Sequence, residues 1–169
     1  DPQKRISEDY LRIIRFLRFA LEYKTNEEQQ SYEAIKLNLN GIKKISKERI
    51  LSELIKILKT KKFININSNN KLKEIFSLIF PELKYTERLI KLTTLNNLES
   101  FSKELLLAVL LVDEGNNHEY FSHKYNVSNE LKYTLNLLAL NLKNLKEKRN
   151  FFTKDLKKQI YLHGKVHLL

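Results

Sequence analysis

Two carboxylates and two guanidinium groups lie within one short segment near the start of the chain. They follow the spacing i, i+1, i+4 and i+7, and the residues are Glu8, Asp9, Arg12 and Arg15. On one helix Glu8, Arg12 and Arg15 share a face, and Asp9 can also reach Arg12. A carboxylate beside a guanidinium presents an acceptor next to coplanar donors, which matches the amino and ring-nitrogen edge of cytosine or adenine. These residues are candidates for reading a nucleobase. The alternative is that these residues form only ordinary ion pairs at the start of a helix. The spacing alone favours this alternative.

The C-terminal third carries a second group of residues that could bind an anion. Aromatic side chains at Phe151, Phe152 and Tyr161 interrupt a run of cations. The cations are Lys143, Lys146, Lys148, Arg149, Lys154, Lys157 and Lys158. Contacts of lysine with phosphate require no particular base sequence, so this stretch is a candidate RNA-binding surface. A solvated helix face with buried phenylalanines is an equally good interpretation.

Conventional catalytic and metal-binding constellations are missing from the sequence. His163 and His167 have the spacing of one helical face, but Gly164 lies between them and no nearby carboxylate completes a metal site. No serine has a base and an orienting partner at a recognisable spacing, and there is no glycine-rich phosphate loop. The absence of cysteine excludes a disulfide scaffold, a zinc-thiolate site and a thiol nucleophile. We therefore expect neither a catalytic residue nor a metal site in this chain.

Composition limits the class of protein further. The 169 residues are 42% hydrophobic, which is enough for a real core, and the formal net charge of +11 favours an anionic partner. A lysine-studded surface of an Asn-, Ile- and Lys-rich composition is the alternative explanation. No window approaches the roughly 18 apolar residues of a membrane span, and we expect no signal peptide because the first residues are polar and lack an apolar core segment. We expect a cytoplasmic protein without a membrane partner. Because the chain opens on Asp1 rather than methionine, we also expect a piece of a longer protein.

Helical periodicity covers nearly the whole sequence, which has only three glycines and two prolines to interrupt it. Ser7 is predicted to cap the first helix, which carries Glu8 and Asp9 in its first turn and extends to about Tyr23. The later helices are predicted at about 27–38, 47–59, 71–79, 86–96, 100–112, 117–124, 128–148 and 153–163.

Two of these helices have explicit start signals, and the segment between them is the main candidate boundary. Ser46 and Asn70 are each predicted to cap the helix that follows. We expect residues 63–66, the one strand-like fragment, to form a loop, and the Asn- and Ser-rich residues 62–70 to separate two helical groups. The predicted fold is an all-α, elongated or bundled multi-helix domain.

The beginning of the chain resembles a known family. Residues 1–20, DPQKRISEDYLRIIRFLRFA, are similar to the EDxxR region of class II tRNA nucleotidyltransferases, the CCA-adding enzymes and their bacterial poly(A) polymerase relatives. A second similarity follows at the family's spacing, with ISKERI at 45–50 and then EL and KIL within 53–58. Together they cover about the first 60 residues. The remaining hundred residues match only in helical character and basicity.

The resemblance implies a division of labour within a longer enzyme. In that family a catalytic head precedes helical neck, body and tail regions, so residues 1–62 would be neck-like and residues 63–169 would form an RNA-holding body and tail. Asp9 and Arg12 would pair with the base of the incoming CTP or ATP. Glu8 would hold Arg12 in place, and Arg15 would lie near the nucleotide or buttress the site. The later helices would hold the acceptor and TΨC region of tRNA.

The resemblance also implies what this chain lacks. The glycine-rich head motif, its paired aspartates and the following Arg-Arg-Asp segment are absent from the sequence. Mg²⁺ would bind in that missing head, which would be a partner of this region, and we expect the chain alone to be inactive. Two alternatives stay open, namely the same region of a poly(A) polymerase, and a stand-alone helical RNA-binding or protein-interaction module whose EDxxR segment is only an ion-paired helix end.

Overall fold

The computed structural model describes residues 2–23, 29–60, 62–96, 100–147 and 156–163, and every regular element within these ranges is helical. Two of the elements are 3₁₀ helices, Leu39–Lys44 and Phe63–Ser68. The α-helices are α1 (Pro2–Glu8), α2 (Leu11–Tyr23), α3 (Gln29–Asn38), α4 (Lys47–Leu58), α5 (Asn70–Ile79), α6 (Arg88–Thr93), α7 (Lys103–Leu111), α8 (Asn117–Lys124), α9 (Asn129–Glu147) and α10 (Leu156–His163). The predicted all-α, multi-helix class is confirmed.

The predicted first helix is in fact two helices. Ser7 lies inside α1, where its hydroxyl donates to the Lys4 carbonyl at 2.7 Å, and Glu8 is the last residue of that helix. The cap of α2 is Asp9, whose Oδ1 accepts the Leu11 N–H at 3.1 Å. The prediction that Ser7 caps this helix was therefore wrong. A carboxylate at this place satisfies an otherwise unpaired N–H and complements the positive end of the helix dipole.

Side-chain caps also define the starts of α4 and α5. Ser46 Oγ accepts the Arg49 N–H at 3.4 Å, which confirms the predicted cap of α4. The cap of α5 lies one residue earlier than predicted, because Asn69 rather than Asn70 has extended backbone and accepts the Leu72 N–H at 3.1 Å. Both helices then bury a stripe of apolar side chains, and in α4 this stripe is Ile50, Leu54, Ile57 and Leu58.

The segment that was predicted to be a loop is a buried 3₁₀ helix. Phe63 and Ile66 are fully buried, and the Phe63 ring meets that of Phe76 on α5 with centroids 5.5 Å apart. This 3₁₀ helix packs on α2 and α5, so one hydrophobic core runs from Ile6 to Leu135 without interruption. The division into 1–62 and 63–169 stays a prediction.

The later helices α7, α8 and α9 contribute buried side chains to the same core. α9 packs against α7 and α8, and α7 contacts α4, so the later helices pack on the earlier ones. α7 is almost wholly apolar and buries Leu106, Leu107, Leu110 and Leu111. Its C-terminus is capped by Arg88, whose Nη1 donates to the Val112 carbonyl at 2.7 Å. None of the described helices has the length and apolar character that crossing a lipid bilayer requires.

Candidate nucleotide and RNA-binding site

The corner between α1 and α2, residues 5–12, brings Glu8 and Arg12 together. Arg12 Nη1 lies 2.9 Å from Glu8 Oε2 and also donates to the Arg5 carbonyl at 2.6 Å. Both charged side chains are about half exposed, so the ion pair contributes only about 0–1 kcal/mol to stability. Its larger effect is to hold the guanidinium in one orientation across the break between the helices.

The Asp9 side chain makes different contacts from the one with Arg12 that the spacing predicted. Its Oδ1 accepts the Leu11 N–H, and its Oδ2 lies 3.5 Å from Arg49 Nη2 on α4. The expectation that Asp9 reaches the Arg12 side chain assumed one continuous helix, and the break after Glu8 removes that assumption. The Arg12 N–H donates to the Asp9 carbonyl at 3.0 Å, but the side chains of the two residues have different partners.

An open recess lies beside this corner. It has a volume of about 470 Å³ and is lined by Lys4, Arg5, Glu8 and Arg12. Three cations and one carboxylate give the recess an excess of positive charge. Arg12 presents several donors here, because a guanidinium has five N–H groups. The recess can accept an anion or a flat group that carries hydrogen-bond acceptors.

A contact between Gly41 and the Tyr10 ring positions the corner between α1 and α2. A Cβ atom at Gly41 would lie 2.0 Å from Cδ1 of Tyr10, so the tyrosine ring packs directly on the glycine backbone. Lys44 Nζ lies 5.5 Å from the centre of the same ring. Tyr10 is one of the two residues between α1 and α2, and this contact therefore fixes the direction in which α2 leaves the corner.

Arg15 is held by a buried carboxylate on α4. The Glu53 side chain is only 4% exposed, and its oxygens lie 3.5 Å from Arg15 Nε, 3.4 Å from Arg18 Nε and 3.0 Å from Lys56 Nζ. Burial acts to raise the pKa of Glu53, but the Lys56 hydrogen bond and the three positive charges outweigh it and lower the pKa below its ordinary value. This Glu53 cluster (Glu53, Arg15, Arg18 and Lys56) joins α2 to α4.

Sequence reasoning did not assign a role to Glu53, Arg18 or Arg49. A signal for Glu53 was present, since an acidic residue sits beside Leu54 and Ile57 on the apolar side of an amphipathic helix. A carboxylate in such a position needs cationic partners when it is buried. Nothing in the spacing of the chain shows that those partners come from α2.

The predicted basic surface of the C-terminal third is only partly described. Lys146 Nζ lies 2.8 Å from Glu114 Oε1, and Lys143 Nζ lies 3.9 Å from Glu147 Oε1. Lys157 and Lys158 are exposed on α10, together with Tyr161. Part of the predicted set lies outside the described residues, namely Lys148, Arg149, Lys154, Phe151 and Phe152.

The structure also bears on metal binding. Within residues 2–23, 29–60, 62–96, 100–147 and 156–163, no group of three or more His, Asp or Glu side chains is arranged to hold a metal ion. His167, one half of the spaced histidine pair, lies outside these ranges. The fold and the site together define an all-α protein region whose polar surfaces are suited to anionic ligands.

Comparisons with known proteins show which family this region resembles. Residues 28–86 match the family described as "Probable RNA and SrmB- binding site of polymerase A". A CCA-adding enzyme of Lactobacillus helveticus (strain DPC 4571) is 47% identical over 57 residues, which are 34% of this chain and 14% of that enzyme. A CCA-adding enzyme of Staphylococcus aureus (strain Newman) is 33% identical over 111 residues, which are 65% of this chain and 26% of that enzyme.

The chain is therefore similar to a region of the CCA-adding enzyme and poly(A) polymerase family, which confirms the resemblance that its first 60 residues indicated. The alignment of 111 residues is longer than that segment, so sequence similarity extends into the part where motifs showed only helices and basic residues. The matched region is about a quarter or less of the length of these two relatives.

Proposed function

We propose that this chain is the nucleotide-selecting and tRNA-binding helical part of a CCA-adding tRNA nucleotidyltransferase, which completes tRNA 3′ ends with CTP and ATP. The observation that carries the proposal is the α1–α2 corner, where Glu8 and the Arg5 carbonyl orient the Arg12 guanidinium beside an open cationic recess. The similarity to two CCA-adding enzymes supports the same function.

To select a base, the protein must present a hydrogen-bond acceptor and a donor to one edge of that base. Arg12 would donate to the ring nitrogen, and for cytosine also to the carbonyl, whereas Asp9 would accept from the amino group that cytosine and adenine share. Asp9 Oδ2 now lies 3.5 Å from Arg49, which is a weak contact, so turning it toward a base has a small cost. Uracil and guanine would leave these groups unpaired, at a cost of about 1–3 kcal/mol for each buried group. Arg15 would buttress the site from the Glu53 cluster.

The tRNA would be held mainly through its phosphates. Lys143, Lys146, Lys157 and Lys158 offer exposed ammonium groups for this purpose, and Lys148, Arg149 and Lys154 belong to the same proposal. An enzyme that serves many tRNAs needs contacts that do not depend on sequence, and phosphate contacts have that property. The description of the family matched by residues 28–86 also supports RNA binding.

Nucleotidyl transfer itself would occur in a separate catalytic head. We place Mg²⁺ in that head rather than in this chain, because the paired aspartates of the head motif, which would position the metal on a triphosphate, are absent from this sequence. The role of this chain is to orient the base and hold the RNA while the head performs the transfer.

The purified chain provides a direct test. It should bind a tRNA transcript that ends before CCA, as measured by fluorescence anisotropy, and should incorporate no labelled CMP or AMP when Mg²⁺, CTP and ATP are added. Absence of tRNA binding would contradict the proposed RNA-holding role, and robust incorporation would contradict the placement of the chemistry elsewhere.

A second candidate function is that of the same region in a poly(A) polymerase. The description of the family matched by residues 28–86, which mentions polymerase A, favours it. The two candidate functions can be distinguished with a protein in which this chain is joined to its catalytic head. A CCA-adding enzyme should extend the transcript by C, C and A and then stop, even with excess ATP. Continued addition of adenylates would support the polymerase instead.

A further inference from the structure

Two aromatic side chains on α2 are exposed and stacked on each other. Phe19 is 44% exposed and Tyr23 is 63% exposed, although most large apolar side chains of α2 are buried. Their ring centroids are 6.0 Å apart and the ring planes differ by 25°. Exposed aromatic rings in a shared orientation offer a flat surface to another ring system.

Positive charge surrounds this aromatic pair. The Arg18 guanidinium carbon lies 4.6 Å from the centre of the Phe19 ring. Beside it is a recess of about 610 Å³ with four cationic residues and one carboxylate in its lining, which consists of Arg18, Glu22, Ile55, Lys56, Lys59, Thr60 and Lys62. The Lys62 ammonium also donates to the Glu22 carbonyl at 2.8 Å, which holds it at the edge of α2.

We propose that this face of α2, consisting of Phe19, Tyr23 and the recess beside them, binds unpaired RNA nucleotides. Bases stack on the two aromatic rings, and the phosphates lie among the ammonium groups of Lys56, Lys59 and Lys62 together with Arg18. Aromatic rings that alternate with cations along a groove are the usual means of holding single-stranded nucleic acid without reading its sequence. The inference rests on the proposed function, because it requires that RNA is the ligand, and it adds where the unpaired part of that RNA lies.

The position of this face relative to Arg12 supports an RNA occupant. Arg12, Phe19 and Tyr23 occupy positions i, i+7 and i+11 of α2, which fall on one side of a helix. At a rise of about 1.5 Å per residue, Phe19 lies about 10 Å from Arg12 along the axis. That distance corresponds to about three stacked nucleotides at about 3.4 Å each. A strand whose end reaches the α1–α2 corner would place its preceding nucleotides on the aromatic pair.

The charge of the surroundings favours RNA over a protein partner. An apolar protein surface would have to desolvate several ammonium groups at the edge of the patch, which carries a free-energy cost. A polyphosphate chain pairs with those groups and releases counterions, which favours its binding.

The experiment compares two RNA hairpins that share one acceptor-like stem. One hairpin ends flush, and the other has three unpaired nucleotides at its 3′ end. Dissociation constants are measured by fluorescence anisotropy at one salt concentration for the wild-type chain and for the double variant Phe19→Ala with Tyr23→Ala. The control variant is Tyr133→Ala, which removes a ring that is 57% exposed on α9. Circular dichroism melting checks that each variant is folded.

The wild-type chain should bind the hairpin with the overhang about tenfold more tightly than the flush one. The double variant should lose this preference while binding the flush hairpin as before, and the Tyr133 variant should keep it. Equal binding of both hairpins by the wild type, or a preference that survives in the double variant, would overturn the inference and leave the proposed function intact. Binding of neither hairpin by the wild type would overturn the proposed function itself.

Discussion

Asp9 combines two roles that can be separated at the level of single atoms. One carboxylate oxygen caps α2 through the Leu11 N–H, and the other is available to a base at the cost of a weak contact with Arg49. Arg12 has a different balance, because its partners Glu8 and the Arg5 carbonyl orient it without burying it. Loss of Asp9 should therefore affect both stability and selection, whereas loss of Arg12 should affect mainly selection.

Substitutions at Asp9 and Arg12, made in the protein that joins this chain to its head, test that difference. Asp9→Ala should lower stability by about 1 kcal/mol through the lost cap. Asp9→Ser should keep the cap, because serine also accepts the N2 or N3 amide, while removing the carboxylate from the base. Both variants and Arg12→Ala should lose on the order of 1–3 kcal/mol of discrimination between CTP or ATP and the other two nucleotides.

The measurements are kcat/KM for all four nucleotides on tRNA that ends before CCA, together with a melting curve for each variant. Arg12→Ala and Asp9→Ser should melt close to the wild type. Unchanged preference for CTP and ATP in Asp9→Ser and in Arg12→Ala would mean that this corner is only structural and that another group reads the base.

At the scale of helices, two contacts decide how α2 is placed, and both lie far apart in sequence. Tyr10 packs on the backbone of Gly41, and Arg15 and Arg18 meet the buried carboxylate of Glu53. Together they fix the corner and the exposed face of α2 relative to the 3₁₀ helix Leu39–Lys44 and to α4. Each contact can be removed by a single substitution that leaves the candidate ligand-binding atoms in place.

Gly41→Ala should destabilise the chain by about 1–3 kcal/mol, because the new methyl group displaces the Tyr10 ring. The matched control is Gly115→Ala, where the nearest atom to the added Cβ is 3.4 Å away. Urea unfolding gives the free energy for each variant. Adding Gly41→Ala to a Tyr10→Ala chain should then cost almost nothing further, since the clash partner is gone. Equal costs in both backgrounds would contradict the proposed contact.

Glu53→Gln should lower the free energy of unfolding at pH 7 by about 1–3 kcal/mol, because three cations lose their shared counter-charge. The magnitude stays below that of a fully buried pair because the cations are partly exposed. The control Glu74→Gln removes an exposed ion pair with Lys36 and should cost about 0–1 kcal/mol.

The pH dependence of this effect has a definite sign. The folded-state pKa of Glu53 lies below its ordinary value of 4.5, so the unfolded chain binds the proton more readily. The stability that Glu53 contributes is therefore present above pH 4.5 and is lost as the pH falls through the folded-state pKa. As the pH is lowered from 5, the melting temperatures of the wild type and Glu53→Gln should converge. A constant difference across that range would show that the carboxylate charge is not what stabilises the cluster.

For the whole molecule, local signals predicted the helices better than they predicted the connections between them. The cap at Ser46 and the apolar stripe of α4 are local, and the structure follows them. The break after Glu8 and the burial of Phe63 were not predicted, because each depends on a contact with a distant element. The candidate site shows the same division, since the pairing of Glu8 with Arg12 follows from spacing, whereas the partners of Asp9 and Glu53 come from another helix.

The charge of the whole chain leads to a prediction about salt. If phosphates are held by the exposed lysines of the C-terminal third, each lost contact should reduce the slope of log affinity against log salt concentration by about 0.7–0.9. Changing Lys143, Lys157 and Lys158 to Gln together should therefore lower the slope of a tRNA titration by about 2–3. The same positions changed to Arg keep the charge and should keep the slope. A slope that is unchanged in the triple Gln variant would place the phosphate contacts on another surface, and the recess beside Phe19 would be the next one to neutralise.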